Sequence, residues 1–431
     1  MNSISTLNSG LENFLRQQFD GLVDSNEKYS SGDYYEAIRN GVPSTVRKNN
    51  GIYFTDIQVA KDLLGLAKLD WSKVKKVYDP ACGSGELLVA AAEMLPVFND
   101  LKSTLFFWGK ILYGSDLHPE LVRTTKLRLV LLAIDKNSNK KGITFTEALS
   151  LFNNIKVRDS LVEDAEFGGC DLIVMNPPFS KETQYSSSLK IKGHVNASML
   201  FLERAIRFIG DGEIVAILPD VLRSGTRYRY FREWANDNII GEITSKGRFD
   251  RYTDVDVFFL RAKCRNQSIE DKTPFKTENK LVSKKVSDFF DVRVGPVVPH
   301  RSPQDGPVVP FIHARSVLPW KENNNICERR AFSGTLYLPP FIVLRRTSSP
   351  SDKNRAVAAI IQGNEPVAVE NHLIVLKPNC PEIDLDELLL RYFRSDIVND
   401  FLNENIRCRH LTTAIVKDIP FYMESVNGDT G

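Results

Sequence analysis

The chain has no paired cysteines that would read as a metal site or a disulfide frame. Its six, Cys82, Cys170, Cys264, Cys327, Cys380 and Cys408, are scattered, and no two stand in a C-x-x-C spacing. No apolar run approaches the ~18 residues of a membrane span. The N-terminus, MNSISTLNSGLENFLRQQFD, lacks the basic start and apolar stretch of a secretory leader. Internal repeats and low-complexity tracts are absent as well. Reduced thiols and a cytoplasmic location are the expectation. Net charge is nearly absent too, only +2 over 431 residues, and by itself points to no partner.

What is present is an ordinary globular composition, 42% hydrophobic and 26% charged, able to bury a large core without staples. The length suggests two or three domains. The charge is unevenly spread. Residues 221–360 hold 25 Lys+Arg against 15 Asp+Glu, a local net of +10, so the remainder carries −8. Such asymmetry suits a face that binds a polyanion such as nucleic acid. The plainer alternative is a solvated basic surface with no partner.

Residues 1–50 read as polar and helical, with Leu11, Phe14, Leu15 and Phe19 at roughly helical spacing. From residue 51 short apolar strands alternate with amphipathic helices. Thr55 stands where a helix cap belongs, ahead of Ile57, Ala60, Leu63, Leu64 and Ala67. Strands are expected at 74–80, 110–116, 171–176, 212–220 and 256–263, and helices from Gly85 to Leu95 and at 121–135 and 199–209. Alternation of this kind implies a doubly wound, mainly parallel sheet. A polar stretch near 266–280 reads as a linker. Beyond it come Val- and Pro-rich β-like runs, then a helix over 384–405.

Asp79-Pro80-Ala81-Cys82-Gly83-Ser84-Gly85 falls between a strand and a helix. A tight glycine turn there lets backbone N–H groups approach a ligand at the carboxyl end of the strand. The dinucleotide fingerprint fails, because its third glycine would fall on Leu88, and the phosphate-loop signature is missing. A glycine turn led by Asp79 suits a cationic, amino-acid-like ligand better than a pyrophosphate. The next strand ends in Asp116, whose two oxygens can accept from both hydroxyls of a ribose. A third strand end offers Asp159, placed to meet an adenine amine. Each aspartate alone is a plausible turn or cap residue; three in series after DPACGSG argue for a nucleoside site.

Asn176-Pro177-Pro178-Phe179 follows the apolar strand at 171–175. An exocyclic aryl amine is a weak nucleophile, because its lone pair is delocalised into the ring. Two acceptors on its protons, the Asn176 side-chain oxygen and the Pro177 carbonyl, would fix the nitrogen and favour a pyramidal geometry. The prolines stiffen the turn and remove competing donors. Phe179 offers a face for a flipped base. A methyl sulfonium donor is already activated, so no metal is expected, and catalysis becomes placement.

In this order of motifs the stretch 51–265 resembles the gamma-class N6-adenine DNA methyltransferases, including the modification subunits of restriction systems. Gly51-Ile52-Tyr53-Phe54-Thr55 resembles their N-terminal motif, although the residue after the threonine is Asp56 where the family often has proline. DPACGSG resembles the glycine loop and NPPF the catalytic tetrapeptide. The resemblance implies a Rossmann-like, S-adenosylmethionine-dependent sheet domain with helices on both faces, followed by an α+β target-recognition domain. It implies S-adenosylmethionine at Tyr53, Phe54, Thr55, Asp79, Ala81, Gly83, Gly85, Asp116, Leu117, Asp159, Ser160 and Asn176. RFDRYTDVDVFFL at 248–260 resembles a later motif whose aromatic covers the other face of the target base. Phe249 holds that position and Tyr252 competes for it, while a core role for Phe249 stays open.

FFDVRVGPVVPHRS and RHLTTAIVKDIPF resemble the two ends of a target-recognition domain of type I specificity subunits. The domains expected are therefore 1–50, 51–265 and 281–425. Lys190 and Lys192, in a polar loop at 180–197 that would order over substrate, and Arg345 and Arg346, in a β-like run, are the candidate DNA contacts. A solvated arginine pair is the alternative for the last two. The implied partners are double-stranded DNA and a cognate restriction endonuclease or specificity subunit, with no membrane. Two other functions remain: an N-directed methyltransferase acting on RNA or on protein glutamine, and a non-catalytic DNA-binding subunit of the same fold.

Overall fold

In the computed structural model the described residues are 2–21, 40, 54–137, 142–162, 166–182, 187, 189, 194–249, 255–265, 274–275, 284–349, 352–379, 383–406 and 410–421. The chain divides into two compact units: Met1–Leu222 with Arg227–Lys276, and Thr277–Gly431 with the short piece Arg223–Thr226.

In the first unit, apolar runs bounded by turns become strands β1 (Val77–Asp79), β2 (Leu112–Asp116), β3 (Ile155–Val157) and β4 (Leu172–Met175), then a two-residue pair, β5 (Lys181–Glu182) and β6 (Val195–Asn196). β7 (Glu213–Pro219), β8 (Ile239–Arg248) and β9 (Asp256–Cys264) follow. Seven of them form one sheet in the order β3-β2-β1-β4-β7-β9-β8. The first five run parallel, while β9 is antiparallel to both β7 and β8. The order reverses between β1 and β4, which opens a crevice at their carboxyl ends, the usual ligand position in such sheets.

The helices of more than four residues among the described residues of this unit are α1 (Asn2–Phe19), α2 (Ile57–Leu64), α3 (Glu86–Met94), α4 (Leu101–Ile111), α5 (Pro119–Lys136), α6 (Phe145–Ser150), α7 (Ala197–Phe208) and α8 (Arg229–Asn238). α4 was not expected from the sequence; its apolar residues precede β2 with no break, and the expected strand at 110–116 begins only at Leu112. α1 is not a separate segment either. Ile4, Leu11 and Leu15 are buried in the same core as α5. Asn8, buried on that face, donates to the Glu120 carbonyl at 2.9 Å and accepts from Thr124 Oγ1 at 2.8 Å. At the start of α2 it is Asp56 that caps, accepting from the Gln58 N–H at 2.9 Å. Thr55 is thereby released for another use.

The second unit carries a five-stranded sheet, β10-β17-β14-β15-β12, and a three-stranded one, β13-β11-β16. Their strands are β10 (Phe290–Val294), β11 (Val308–Ile312), β12 (Glu322–Asn323), β13 (Arg329–Ala331), β14 (Phe341–Arg345), β15 (Ala358–Ile361), β16 (Ala368–Val369) and β17 (Leu373–Pro378). Alternation in β14 places Ile342 and Leu344 against helices α9 (Glu387–Arg394), α10 (Asp396–Asn405) and α11 (Thr413–Lys417). Phe341 and Val343 face Ile312 and Val369 on the other side. The single helix expected over 384–405 is broken at Ser395, whose extended backbone ends α9 and caps α10.

Candidate active site

The glycine turn owes its shape to two residues whose backbone lies where side chains are disfavoured. Gly83 and Gly85 have φ of 53° and 88°. A Cβ at Gly85 would come within 2.7 Å of Thr125 Cγ2. Among the described residues, the amides of Ala81, Cys82, Gly83 and Gly85 all bond within the protein. Ala81 N–H donates to Asp79 Oδ1 at 3.0 Å and Gly83 N–H to Asp116 Oδ2 at 3.0 Å. Cys82 N–H donates to the Ser115 carbonyl at 2.9 Å, and Gly85 N–H to the Cys82 carbonyl at 2.8 Å. The turn therefore offers a shaped surface lined by carboxylates, and not the row of free N–H donors that a phosphate needs.

Its carbonyls are held as well. Thr125 Oγ1 donates to the Gly83 carbonyl at 2.9 Å, and Arg128 Nη1 to the Ser84 carbonyl at 2.6 Å. Arg128 also meets Glu86 at 3.2 Å, both side chains being almost fully buried, and the Ser84 hydroxyl donates to the same carboxylate. None of this support was legible from motifs, because Arg128 lies 42 residues from Glu86.

Asp79 and Asp116 end the neighbouring strands β1 and β2. Burial, with Asp116 and Glu86 close by, holds the Asp79 carboxyl well above its usual range. Burial raises Asp116 too, against the N–H bonds it accepts from His118, at 2.9 Å, and Gly83. Desolvated carboxyls in mutual proximity gain from a cation or from hydroxyl donors in their midst. Asp159 lies half-buried after β3 and accepts from the Leu161 N–H at 2.9 Å. Leu117, next to Asp116, is 59% exposed, an apolar side chain with no cover at a strand end.

Asn176 emerges from β4 beside this turn. Its amide is anchored on one side, where Nδ2 donates to Thr55 Oγ1 at 2.9 Å. Its Oδ1 is buried and has no hydrogen-bond partner among the described residues. Buried acceptors are nearly always satisfied, and among the described side chains this oxygen and Asn371 Oδ1 are the two that are not. The following turn is clamped from α7. Ser198 Oγ donates to the Pro178 carbonyl at 2.9 Å and lies 3.5 Å from that of Pro177, while Asn196 Nδ2 donates to the Phe179 carbonyl at 3.1 Å. Asn196, the cap of α7, and Ser198 escaped the sequence reading, although an Asn two residues ahead of a Ser at a helix start signals a cap.

Phe179 and Phe249 come together as expected, but edge to face, with centroids 5.8 Å apart and planes at 82°. A base between them would need parallel rings roughly 7 Å apart, two carbon contact distances. One ring must therefore turn for both to stack on a base.

Three other expected residues sit differently. Phe54 is 5% exposed and belongs to the core. Thr55 contacts Asn176 and caps nothing. Ser160 turns its hydroxyl inward to Tyr78, 3.0 Å away, and is 2% exposed, so it lines no cleft. Tyr53, Tyr252, Lys190 and Lys192 lie outside the described residues. In the second unit Arg345 ends β14 and Arg346 follows it, both half-buried, and Arg346 Nη1 donates to the Asn371 carbonyl at 3.3 Å.

Residues 26–226 match the family model described as N-6 DNA Methylase. Among curated proteins, the chain is 23% identical over 224 residues to the type I restriction enzyme MpnII methylase subunit of Mycoplasma pneumoniae. That match covers 48% of this chain and 38% of the relative. It is 24% identical over 247 residues to the type II methyltransferase M.BanIII of Aneurinibacillus aneurinilyticus, covering 53% and 41%. The chain thus spans well under half the length of these two relatives. Among solved structures it is similar to the type IIL restriction-modification enzyme MmeI in complex with DNA, at a TM-score of 0.55, covering 93% of this chain and 71% of that one. Sequence identity there is 12%, so the likeness is one of fold. The stretch that carries the glycine turn and Asn176 is therefore similar to the N-6 DNA methylase family, and its curated relatives here are a type I methylase subunit and a type II methyltransferase.

Proposed function

We propose that this chain transfers a methyl group from S-adenosylmethionine to the N6 amine of an adenine flipped out of double-stranded DNA. In this reading it is the modification activity of a restriction-modification system, with the second unit selecting the DNA sequence. The observation that carries the reading is the Asn176 amide, anchored through its nitrogen and left with a buried, unsatisfied oxygen beside a turn rich in carboxyls.

The residues fit the cofactor. Asp116 would take the ribose hydroxyls, Asp159 the adenine edge, and Asp79 the cationic methionine end. Bound there, S-adenosylmethionine supplies an electrophilic methyl on a sulfonium. Asn176 Oδ1 and the Pro177 carbonyl would accept hydrogen bonds from the two N–H groups of the target amine, which keeps its lone pair free of the ring; as the N–C bond forms and the S–C bond breaks, one amine proton is lost to water. The Phe179 ring stacks on the base and excludes water. Placement against the methyl carbon accounts for most of the rate. Arg345 and Arg346, with Lys190 and Lys192, would contact the DNA backbone.

The test incubates the purified chain with S-adenosylmethionine labelled in the methyl group and with DNA, RNA or protein. Label recovered as N6-methyladenine from duplex DNA is the expected result. Label in RNA or in protein glutamine, or none in any acceptor, would contradict the proposal.

A further inference from the structure

Tyr78 is a strand residue that no motif singles out. A phenylalanine would fill the same space, and a hydroxyl in a core carries a desolvation cost unless it is bonded. Here it is bonded twice. The phenol donates to Ser115 Oγ at 3.1 Å and meets Ser160 Oγ at 3.0 Å. Tyr78, Ser115 and Ser160 are 0%, 1% and 2% exposed. The ring is seated edge-on against Phe167, with centroids 5.2 Å apart. Burial pushes the phenol up to about 12, so it remains a donor at any physiological pH.

The partners give the contact its meaning. Ser115 immediately precedes Asp116, and Ser160 immediately follows Asp159. The ladder between β2 and β3 ends at the pair Asp116 and Val157, and one further bond, Arg158 N–H to the Asp116 carbonyl at 3.0 Å, continues it. Past that point main-chain pairing no longer fixes the chain that carries Asp159. β1 is separated from β3 by β2. The Tyr78 side chain therefore reaches past a whole strand to hold the segment after β3.

We propose that the Tyr78 hydroxyl is a positioning residue for the adenosine end of the cofactor cleft, tying Ser115 to Ser160 and so fixing the spacing of the Asp116 and Asp159 carboxylates. This rests on the reading of the cleft as an S-adenosylmethionine site. Tyr78 touches no ligand itself; it acts through the two loops.

The test is calorimetry on the full chain with three probes, S-adenosylmethionine, adenosine and methionine, for wild type, Tyr78→Phe, Ser160→Ala and the double variant. Tyr78→Phe should weaken S-adenosylmethionine and adenosine by the same factor, roughly 3- to 10-fold, the net worth of one hydrogen bond. Methionine binding should not change. The KM for S-adenosylmethionine should rise in proportion, with kcat at saturating cofactor kept, whereas a general loss of structure would lower both. The double variant should be little worse than either single one, as members of one network behave. Unchanged adenosine affinity in a folded Tyr78→Phe protein, additive losses, or a fall in kcat with KM kept would overturn the proposal. Should Tyr78→Phe fail to fold, Ser160→Ala must by itself show the adenosine-selective loss. If wild type binds adenosine and not S-adenosylmethionine, the cofactor reading fails; if wild type binds both and the variants match it, only the role of Tyr78 fails.

Discussion

Asn176 shows how little of its side chain the described residues use: the nitrogen is held by Thr55 and the oxygen has no hydrogen-bond partner among them. Asn176→Ala should abolish methyl transfer while cofactor affinity stays nearly intact, since its contacts are to the target amine; isotope transfer and calorimetry on the same preparation decide it. Thr55→Val should leave the amide without its anchor and lower kcat about 3- to 10-fold, the scale of one hydrogen bond, with Thr55→Ser recovering most of it. An equal loss in both variants would mean the hydroxyl is not what matters. Asp116→Ala should weaken S-adenosylmethionine by about 1.5–3 kcal/mol, the worth of bonds to a charged acceptor.

The raised carboxyls give a pH signature. Asp79 and Asp116 hold protons more tightly in the folded protein than at their ordinary value of 3.8. They are more protonated than in the unfolded chain, so their contribution to stability falls as pH climbs from that value through the raised ones. A cationic ligand prefers them ionised. Cofactor affinity should therefore rise with pH across that same window, with protons released on binding. Calorimetry in buffers of different ionisation enthalpy measures this, and affinity that is flat or falls with pH would contradict it.

That the glycine turn, the strand-end aspartates and NPPF gather at the carboxyl ends of neighbouring strands was legible from residue types and order alone. What was not legible is direction. Ser160 and Phe54 have suitable neighbours in the sequence, but their side chains point into the core. Thr55 and Asp56 are both good caps, and only packing decides which is released to meet Asn176.

Among the elements, the turn from β1 into α3 is the most constrained. Gly85→Ala must place a Cβ against Thr125 and force a left-handed φ on alanine. A loss of at least about 1–2 kcal/mol in unfolding free energy is expected from the backbone alone, read from a denaturant midpoint, together with weaker cofactor binding. An alanine variant with wild-type stability would show that the turn can relax. The Glu86–Arg128 pair behind it, with Arg128 on the Ser84 carbonyl, braces the turn from the core side. Element existence followed from apolar runs for β1, β4, β7 and α5, short and bounded by turns in the strands and too long for a strand in the helix. α4 was missed because its pattern runs unbroken into β2, and the break at Ser395 because a serine inside a helical pattern gives no local sign that it caps a second helix.

The whole molecule divides into two compact units. The positive excess of residues 221–360 begins in the first and runs into the second. A chain ending at residue 276 should still bind S-adenosylmethionine and should lose site-selective DNA binding, because phosphate anchoring and base reading would go together. Titrations at fixed salt on cognate and scrambled duplexes test this. Full cognate preference in the shortened chain would place recognition in the first unit.

The central claim, that this chain methylates adenine N6 at a defined DNA sequence through Asn176, is tested most directly by sequencing with modified-base detection. The DNA would come from methylation-deficient cells that express the chain alone, beside the same cells expressing Asn176→Ala. The account predicts N6-methyladenine at one recurring sequence in the first and none in the second. N6-methyladenine persisting in the Asn176→Ala cells would contradict it, as would its absence from cells whose wild-type protein is folded and binds S-adenosylmethionine.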